Sequence, residues 1–395
     1  LVYHALSVFE WYGSPRHVHP CPPRRSTDLF ADSLALDRGL VTPATVLADV
    51  PTRFRDFDPR NFSLDFLGRV SVRDALVLSL NLPAIEIEQR LGQERFHATL
   101  RDLGLSSISK PAGHYGLGLV LGNAEVRLLD IANAYACLAR GGDWAPVRFV
   151  DSPSPPVTRQ VFSPEACWLI SEMLGGEERS MDATGHTADV RLPPMAWKTG
   201  TSAGLRDAWT VAWNPEVVIA VWAGSSDGSA SEHLVGRKIA TPIAWDLLRR
   251  LYPDNRGPWF ARPAGIMTRA VCAESGCAPG PHCVCRSEDW AITNVSRHGL
   301  CPVHREGIKA DWPPSMAAFL NRGVAAAAES AGSLRILSPA RGCTYRHVPD
   351  LDVDAQRLAF DAATDGAGEP LHWFVDDRPV GRSRAGQPLF WPIER

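Results

Sequence analysis

Two short runs in this 395-residue chain hold residue types that could act together on a peptide bond. The first is Ser79-Leu80-Asn81, and the second is Lys198-Thr199-Gly200-Thr201-Ser202, just after the apolar pair Ala196-Trp197. A serine hydroxyl in the first run can relay a proton toward a leaving amine, while the Asn81 amide can hold a substrate amide. In the second run the Lys198 ammonium sets a positive field at a cleft floor, and Thr199 and Thr201 can donate to a carboxylate. Gly200 lets an extended peptide lie close against a strand edge. Taken alone, Ser-x-Asn is usually a helix end and Lys-Thr-Gly a surface turn. A Lys-Thr-Gly-Thr-Ser run at a strand end, preceded by Ser-x-Asn at a helix end, is far more specific. What such a pair lacks is a nucleophile.

The elements that must position these residues can be read from the pattern. Ser71-Val-Arg-Asp74 is a capping-box-like helix start leading into ALVLSL, and Asn81-Leu-Pro stops that helix. Pro83 can open the next helix, which ends at Gly92; Gln93–Gly104 and Val126–Arg140 have helical spacing as well, the latter ending at Gly141-Gly142. Met195–Thr199, Asp207–Trp213 and Val217–Gly224 read as an antiparallel meander with a tight turn at Asn214-Pro215, covered by a helix over Ile239–Leu251. A helical cluster beside an antiparallel sheet is an α+β architecture. Residues 1–33 look unlike the rest, with three of the twelve histidines and no regular period, and the pattern becomes regular at Leu34. Residues 253–330 show no clear period but contain five cysteines, and 331–395 read as short strands (LRIL, RLAF, LHWFV, PLFW) of a small, truncated all-β module.

Bulk composition narrows the function classes. An apolar fraction of 45% is ordinary for a chain with a sizeable core, and a net charge of −3 gives no electrostatic case for nucleic acid or an anionic membrane. No apolar run is long enough to span a bilayer. The first ten residues, LVYHALSVFE, have neither a basic start nor an initiator methionine, so the chain reads as an internal piece of a longer protein.

At these residues the chain resembles the transpeptidase domain of bifunctional (class A) penicillin-binding proteins of the 1C type. The resemblance rests on LALDRGLVTPATVLADVPTRF (34–54), SLNLPA (79–84), HYGLGLVLGNAEVRLLDIANAYACLARGG (114–142), KTGTSAGLRDAW (198–209) and VWAGSSDG (221–228), with 34–252 as the transpeptidase domain and 331–395 resembling that type's C-terminal β-domain. It implies the penicillin-recognising serine transpeptidase fold. Ser79 and Asn81 match the family's second catalytic motif, and Lys198, Thr199 and Gly200 the third, with Thr201 as a further substrate-binding residue. The implied reaction is acyl transfer from a peptidoglycan stem peptide, through a serine ester, to a second stem's amine. The implied partners are stem peptides and β-lactams, with no cofactor and no nucleic acid. The full-length parent would add a glycosyltransferase and an N-terminal anchor in the inner membrane, placing this domain in the periplasm.

The family's nucleophile comes from a Gly-Ser-x-x-Lys-Pro-Phe run shortly before the segment like Leu34–Leu40. Here that stretch is Arg24-Arg25-Ser26-Thr27-Asp28-Leu29-Phe30; aligned without gaps, Arg25 stands at the serine and Asp28 at the lysine. Sliding by one residue places Ser26 at the nucleophile but Leu29 at the base. Of 41 basic residues only Lys110, Lys198, Lys238 and Lys309 are lysines, so no Ser-x-x-Lys can precede Ser79. The sole Ser-x-x-Lys, Ser107–Lys110, follows Ser79 in a loop and reads as coincidence. The domain is therefore expected to be inactive as written, through a frame-shifted or mis-joined N-terminal stretch or through divergence. The alternative is a cell-wall peptide-binding module that keeps the cleft without turnover; a serine β-lactamase has no place for the β-module or the cysteine segment.

Cys272, Cys277, Cys283, Cys285 and Cys301 fit no standard zinc framework by spacing. Because the family implies an extracytoplasmic compartment, a disulfide is preferred to a metal here and no metal is assigned, with Cys272, Cys283, Cys301 and His304 left as the alternative four-ligand set. Cys137, on an apolar helix, is expected to be buried and inert.

Overall fold

The computed structural model describes residues 4–8, 27–54, 57–62, 65–150, 153–175, 193–202, 206–224, 234–306, 311–320, 335–338, 357–363, 371–375, 378–384 and 387–392. The chain divides into two compact units, Leu1–Met316 and Ala317–Arg395. In order, the first unit runs β1 (His4–Val8), α1 (Asp28–Asp37), β2 (Val46–Asp49), β3 (Gly68–Ser71), α2 (Val72–Leu78), α3 (Asn81–Leu91) and α4 (Gln93–Asp102). It continues with α5 (Ala112–Tyr115), α6 (Leu128–Ala139), β4 (Asp143–Trp144), β5 (Arg159–Gln160) and α7 (Pro164–Leu174). The last elements are β6 (Ala196–Thr201), β7 (Asp207–Trp213), β8 (Val217–Gly224), α8 (Ala240–Leu251), β9 (Ile266–Cys272) and β10 (Arg286–Ile292).

The expected meander supplies three strands of a four-stranded sheet of order β1-β8-β7-β6. Strands β6, β7 and β8 are antiparallel, with Lys198 opposite Val211 and Gly200 opposite Trp209; β1 adds in parallel to β8, a long-range pairing that local pattern cannot reveal. The two-residue period of a strand sends alternate side chains to opposite faces. Trp197, Ala208, Ala212, Ile219 and Val221 pack against Ala240, Ala244, Trp245 and Leu248 of α8. Ala196, Trp209, Val211, Trp213 and Val218 face the larger core built by α1, α6 and α7. Tyr135 of α6 wedges edge-on between Phe30 of α1 and Trp213 of β7, with ring centroids 5.3 and 5.2 Å apart. Each such pair adds about 0.5–1.5 kcal/mol beyond area burial.

The helices obey their local signals with two differences. Ser71 caps α2 by accepting from the Asp74 N–H at 3.0 Å, as its spacing suggests. Helix α3 starts at Asn81, ahead of Pro83, because the first turn of a helix has no intrahelical partner for the N–H that proline lacks. Helix α1 begins at Asp28, before the regular pattern at Leu34. Its polar Asp28, Asp32 and Ser33 are as buried as its apolar residues, which hides the helix from hydropathy.

Within residues 253–316, β9 and β10 pair as an antiparallel hairpin, Cys272 opposite Arg286 through Ile266 opposite Ile292. The hairpin is held to the helical core by Trp290 against Trp168, centroids 5.0 Å apart, and by Asp289 Oδ1, which accepts from the Ala44 N–H at 3.0 Å.

The second unit contains β11 (Arg335–Ser338), β12 (Arg357–Ala363), β13 (Leu371–Val375), β14 (Arg378–Ser383) and β15 (Leu389–Pro392). It pairs them as β11-β12-β15 and β13-β14 around Phe360, Ala362, Leu371 and Trp373. Among the described residues no helix is long and apolar enough to cross a membrane.

Candidate active site

Lys198 lies on the face of β6 that meets the helical core, and its side chain is buried. Among the described residues its ammonium meets Ser79 and Asp28. Ser79 Oγ accepts a hydrogen bond from Nζ, and Asp28 Oδ2 lies 2.9 Å from Nζ in an ion pair whose partners are 0% and 7% exposed. Ser79 reaches Lys198 because it ends α2 in the left-handed region, φ 55 and ψ 49, which carries its side chain out of the helical path. A non-glycine residue in that region is uncommon and marks sites where geometry outranks local preference.

Asp28 is the first residue of α1. Thr27 fixes its approach, donating to the carbonyls of Leu119 and Val120 at 3.2 Å each. Asp28 Oδ1 accepts from the Leu29 N–H at 2.9 Å, so the carboxylate is satisfied on one oxygen by backbone and on the other by Lys198. One helical turn later, Asp32 is buried too. Burial pushes its carboxyl well above the usual carboxylate range; the Asp28 charge adds to this and Lys198 opposes it. Asp28, Asp32 and Lys198 thus share one buried region, in which Asp28 faces the Lys198 ammonium directly. Tyr135 is likewise pushed up, first by burial and then by the Asp28 charge.

Not every sequence-predicted residue joins this cluster. The Asn81 N–H donates to Asn61 Oδ1 at 2.9 Å, and its side-chain amide donates to the Arg60 carbonyl. Asn61 in turn donates to both oxygens of Asp49, at 2.8 and 3.0 Å. Asn81 thus anchors α3 to the 58–67 loop. Strand alternation puts Thr199 and Thr201 on the α8 side, opposite Lys198; Thr201 Oγ1 accepts from the Gly236 N–H at 3.1 Å. Gly200 is buried on edge strand β6. Ser107 donates to the Glu125 carbonyl at 2.6 Å while Lys110 Nζ lies 3.3 Å from His114, so the sole Ser-x-x-Lys has its two side chains engaged separately in a loop. Arg25 and Ser26 lie outside the described residues.

Sequence reasoning missed the role of Asp28. The signal available was the gapless alignment, which puts Asp28 at the position of the family's lysine; in the structure Asp28 and Ser79 both meet Lys198 Nζ. Glu88 on α3 was also missed. It is fully buried, and desolvation pushes its carboxyl up to about 8. Cys137 is buried, its thiol donating to the Gly142 carbonyl at 3.1 Å and pushed up by burial to about 12, which makes it a poor nucleophile. The cysteine segment departs from the disulfide expectation. Among the described residues no two sulfurs are bonded; three of them converge instead on one imidazole. A cleft of about 720 Å³ lies between β2–β3 and β9–β10 and includes none of Ser79, Asn81 or Lys198 in its walls.

Residues 29–248 match the penicillin binding protein transpeptidase domain, and residues 323–395 match the penicillin-binding protein C-terminus family. The chain belongs to the penicillin-binding protein transpeptidase family, with the α+β fold of the penicillin-recognising enzymes. It is 34% identical to penicillin-binding protein 1C of Escherichia coli (strain K12) over 71% of this chain and 36% of that protein. It is 25% identical to penicillin-binding protein 1A of Neisseria gonorrhoeae over 71% of this chain and 39% of that protein. The chain therefore spans well under half the length of these relatives. Among solved structures, penicillin-binding protein 1A from Haemophilus influenzae superposes with a TM-score of 0.59 at 18% identity, covering 70% of this chain and 49% of that one. The penicillin-binding protein PonA1 from Mycobacterium tuberculosis gives a TM-score of 0.52 at 21% identity, covering 62% of this chain and 72% of that one.

Proposed function

We propose that this chain is a peptidoglycan D,D-transpeptidase domain whose acylation step is disabled by the ion pair between Asp28 and Lys198. The observation that carries this reading is the Nζ–Oδ2 distance of 2.9 Å at two buried side chains beside Ser79. Acyl transfer to serine needs a group that accepts the hydroxyl proton as the oxygen attacks. In the gapless alignment a lysine amine would do this. Asp28 stands at that position and is engaged by Lys198 instead. Lys198 cannot substitute, because an ammonium donating to Ser79 and held by a carboxylate has no lone pair to offer. Ser79 and Lys198 keep the second and third motif positions, with Gly200 on the same face of β6 as Lys198, whereas the Asn81 amide is engaged by the Arg60 carbonyl and Thr199 and Thr201 lie on the α8 side.

In the full-length parent this domain would be joined to a glycosyltransferase and held at the periplasmic face of the inner membrane. Its ligands are stem peptides and β-lactams. A non-catalytic role in cell-wall binding is favoured by one further observation. Strand β6 is the last strand of its sheet, so its outer edge is open among the described residues and can pair with an extended peptide next to Gly200. The test is incubation with a fluorescent penicillin followed by denaturing electrophoresis, alongside calorimetry with a D-Ala-D-Ala peptide. No covalent band, with or without reversible peptide binding, is the expected result. A band that survives denaturation would overturn the disabled-acylation reading.

A further inference from the structure

The described cysteines are not scattered over the second half of the first unit. Sγ of Cys272, Cys283 and Cys301 and a ring nitrogen of His304 all lie within 4.8 Å of one another. His304 Nδ1 is 3.4 Å from Cys272 Sγ, 3.4 Å from Cys283 Sγ and 3.5 Å from Cys301 Sγ. In a tetrahedron with zinc–sulfur bonds of about 2.3 Å and zinc–nitrogen bonds of about 2.1 Å, the sulfur–nitrogen edge is about 3.6 Å. Three edges meeting at one nitrogen therefore have the length that metal ligation requires. We propose that Cys272, Cys283, Cys301 and His304 form a structural zinc site of the Cys3His type.

Backbone topology builds the site. Cys272 ends β9, and Cys283 lies in the turn before β10, so hairpin pairing brings them together. Cys301 is pulled alongside by its N–H, which donates to the Ala278 carbonyl at 2.8 Å, and His304 follows three residues later. The three sulfurs are buried, and with Val303 they make up nearly all of this local core. So small a cluster has too little aliphatic surface to order a loop-rich segment by itself, which is the usual setting for a metal staple.

The surroundings fit thiolates and a metal-bound imidazole. Cys283 Sγ accepts from the Gly280 N–H at 3.3 Å, and Cys301 Sγ accepts from the Ser275 hydroxyl at 3.2 Å. With Nδ1 turned to the sulfurs, His304 Nε2 faces Glu274 Oε2 at 3.6 Å, and Glu274 receives Arg69 Nη1 at 3.0 Å. A carboxylate behind the second ring nitrogen fixes the tautomer of a histidine ligand. Arg69 belongs to β3, and Gly276, at φ +69, lies so close to the Ala44 carbonyl that a Cβ would sit 1.9 Å from it. The site thus pins the β9–β10 hairpin to the β2–β3 hairpin. A disulfide between any two of the three sulfurs would leave the third and the imidazole without a role. On binding, three thiols lose their protons to solvent, and the divalent ion offsets two of the three thiolate charges, leaving the site with one net negative charge.

The test is metal content of the whole chain purified without chelator, with cobalt substitution read in the visible spectrum. About one zinc per chain and the intense ligand-field bands of tetrahedral cobalt thiolate are expected. Cys277→Ser and Cys285→Ser should keep the metal, while Cys283→Ser and His304→Ala should lose most of it. Should the ligand variants fail to fold, alkylation of the native chain decides: the three thiols should be protected until a chelator is added. Peptide mapping that recovers a disulfide between two of the three, or a reduced chain that takes up no zinc, would overturn the proposal.

Discussion

Replacing Lys198 by methionine keeps most of the side-chain volume and removes the ammonium. Asp28 then loses the ammonium beside its Oδ2, and two routes are open to it. If it stays ionised, the uncompensated charge costs about 3–5 kcal/mol. If it takes up a proton, the cost is the free energy of protonating a carboxyl of reference pKa about 3.9, which is about 1.5 kcal/mol at pH 5 and about 4 kcal/mol at pH 7. The cheaper route governs, so the loss should be small at pH 5 and grow to about 4 kcal/mol by pH 7–8. The sign follows from linkage. In the variant the folded-state carboxyl of Asp28 sits above its unfolded value, so the relative stability is intact below pH 4 and is lost as pH rises. Changing Asp28→Asn as well removes the stranded charge and should recover all but about 1 kcal/mol at every pH. Urea denaturation followed by tryptophan fluorescence reads the effect, because Trp209 and Trp213 are buried in the strand next to Lys198. A loss below 1 kcal/mol at pH 7, an equal loss at pH 5 and pH 8, or a double variant no better than the single would refute the reasoning.

Two further outcomes are expected. Glu88 has its carboxyl raised from 4.5 to about 8, so its contribution favours the folded state at pH 4 and fades as pH rises from 4.5 through 8; Glu88→Gln should therefore raise the free energy of unfolding at pH 8 by up to several kcal/mol, read as a higher urea midpoint, and leave it little changed at pH 4.5. Ser71→Ala deletes the α2 cap and should cost about 1 kcal/mol in the same assay, while Ser71→Thr, which keeps the hydroxyl that bonds both the Asp74 N–H and its carboxylate, should hold the loss to a few tenths.

Much of this arrangement was legible in the sequence because it is local. The cap at Ser71, the stop at Asn81-Leu-Pro, and the alternation in Ala196–Thr201 each depend on neighbours within a few residues. The rest depends on distant partners. The start of helix α1 ahead of Leu34 is hidden because Asp28 and Asp32 are polar yet buried, and the ion pair of Asp28 with Lys198 joins residues far apart in the chain. The parallel pairing of β1 with β8 leaves no local trace. Ser79 in a left-handed conformation could not be foreseen, since glycine or asparagine is the usual occupant. The β9–β10 hairpin lacks a clean apolar alternation, for buried and exposed residues fall in runs along both strands rather than alternating. The cysteine and histidine ligands come together by hairpin pairing, so their spacing along the chain matches no familiar zinc pattern.

The central claim is that the missing Ser-x-x-Lys pair, replaced by Arg25 and an Asp28 locked to Lys198, is what prevents acylation. The most direct measurement is intact-protein mass after incubation with penicillin, comparing the chain with its Arg25→Ser/Asp28→Lys variant. The account predicts no adduct on the chain as it stands and one penicilloyl group on the variant, mapped to the restored serine. An adduct on the unaltered chain, at Ser79 or any other serine, would contradict it.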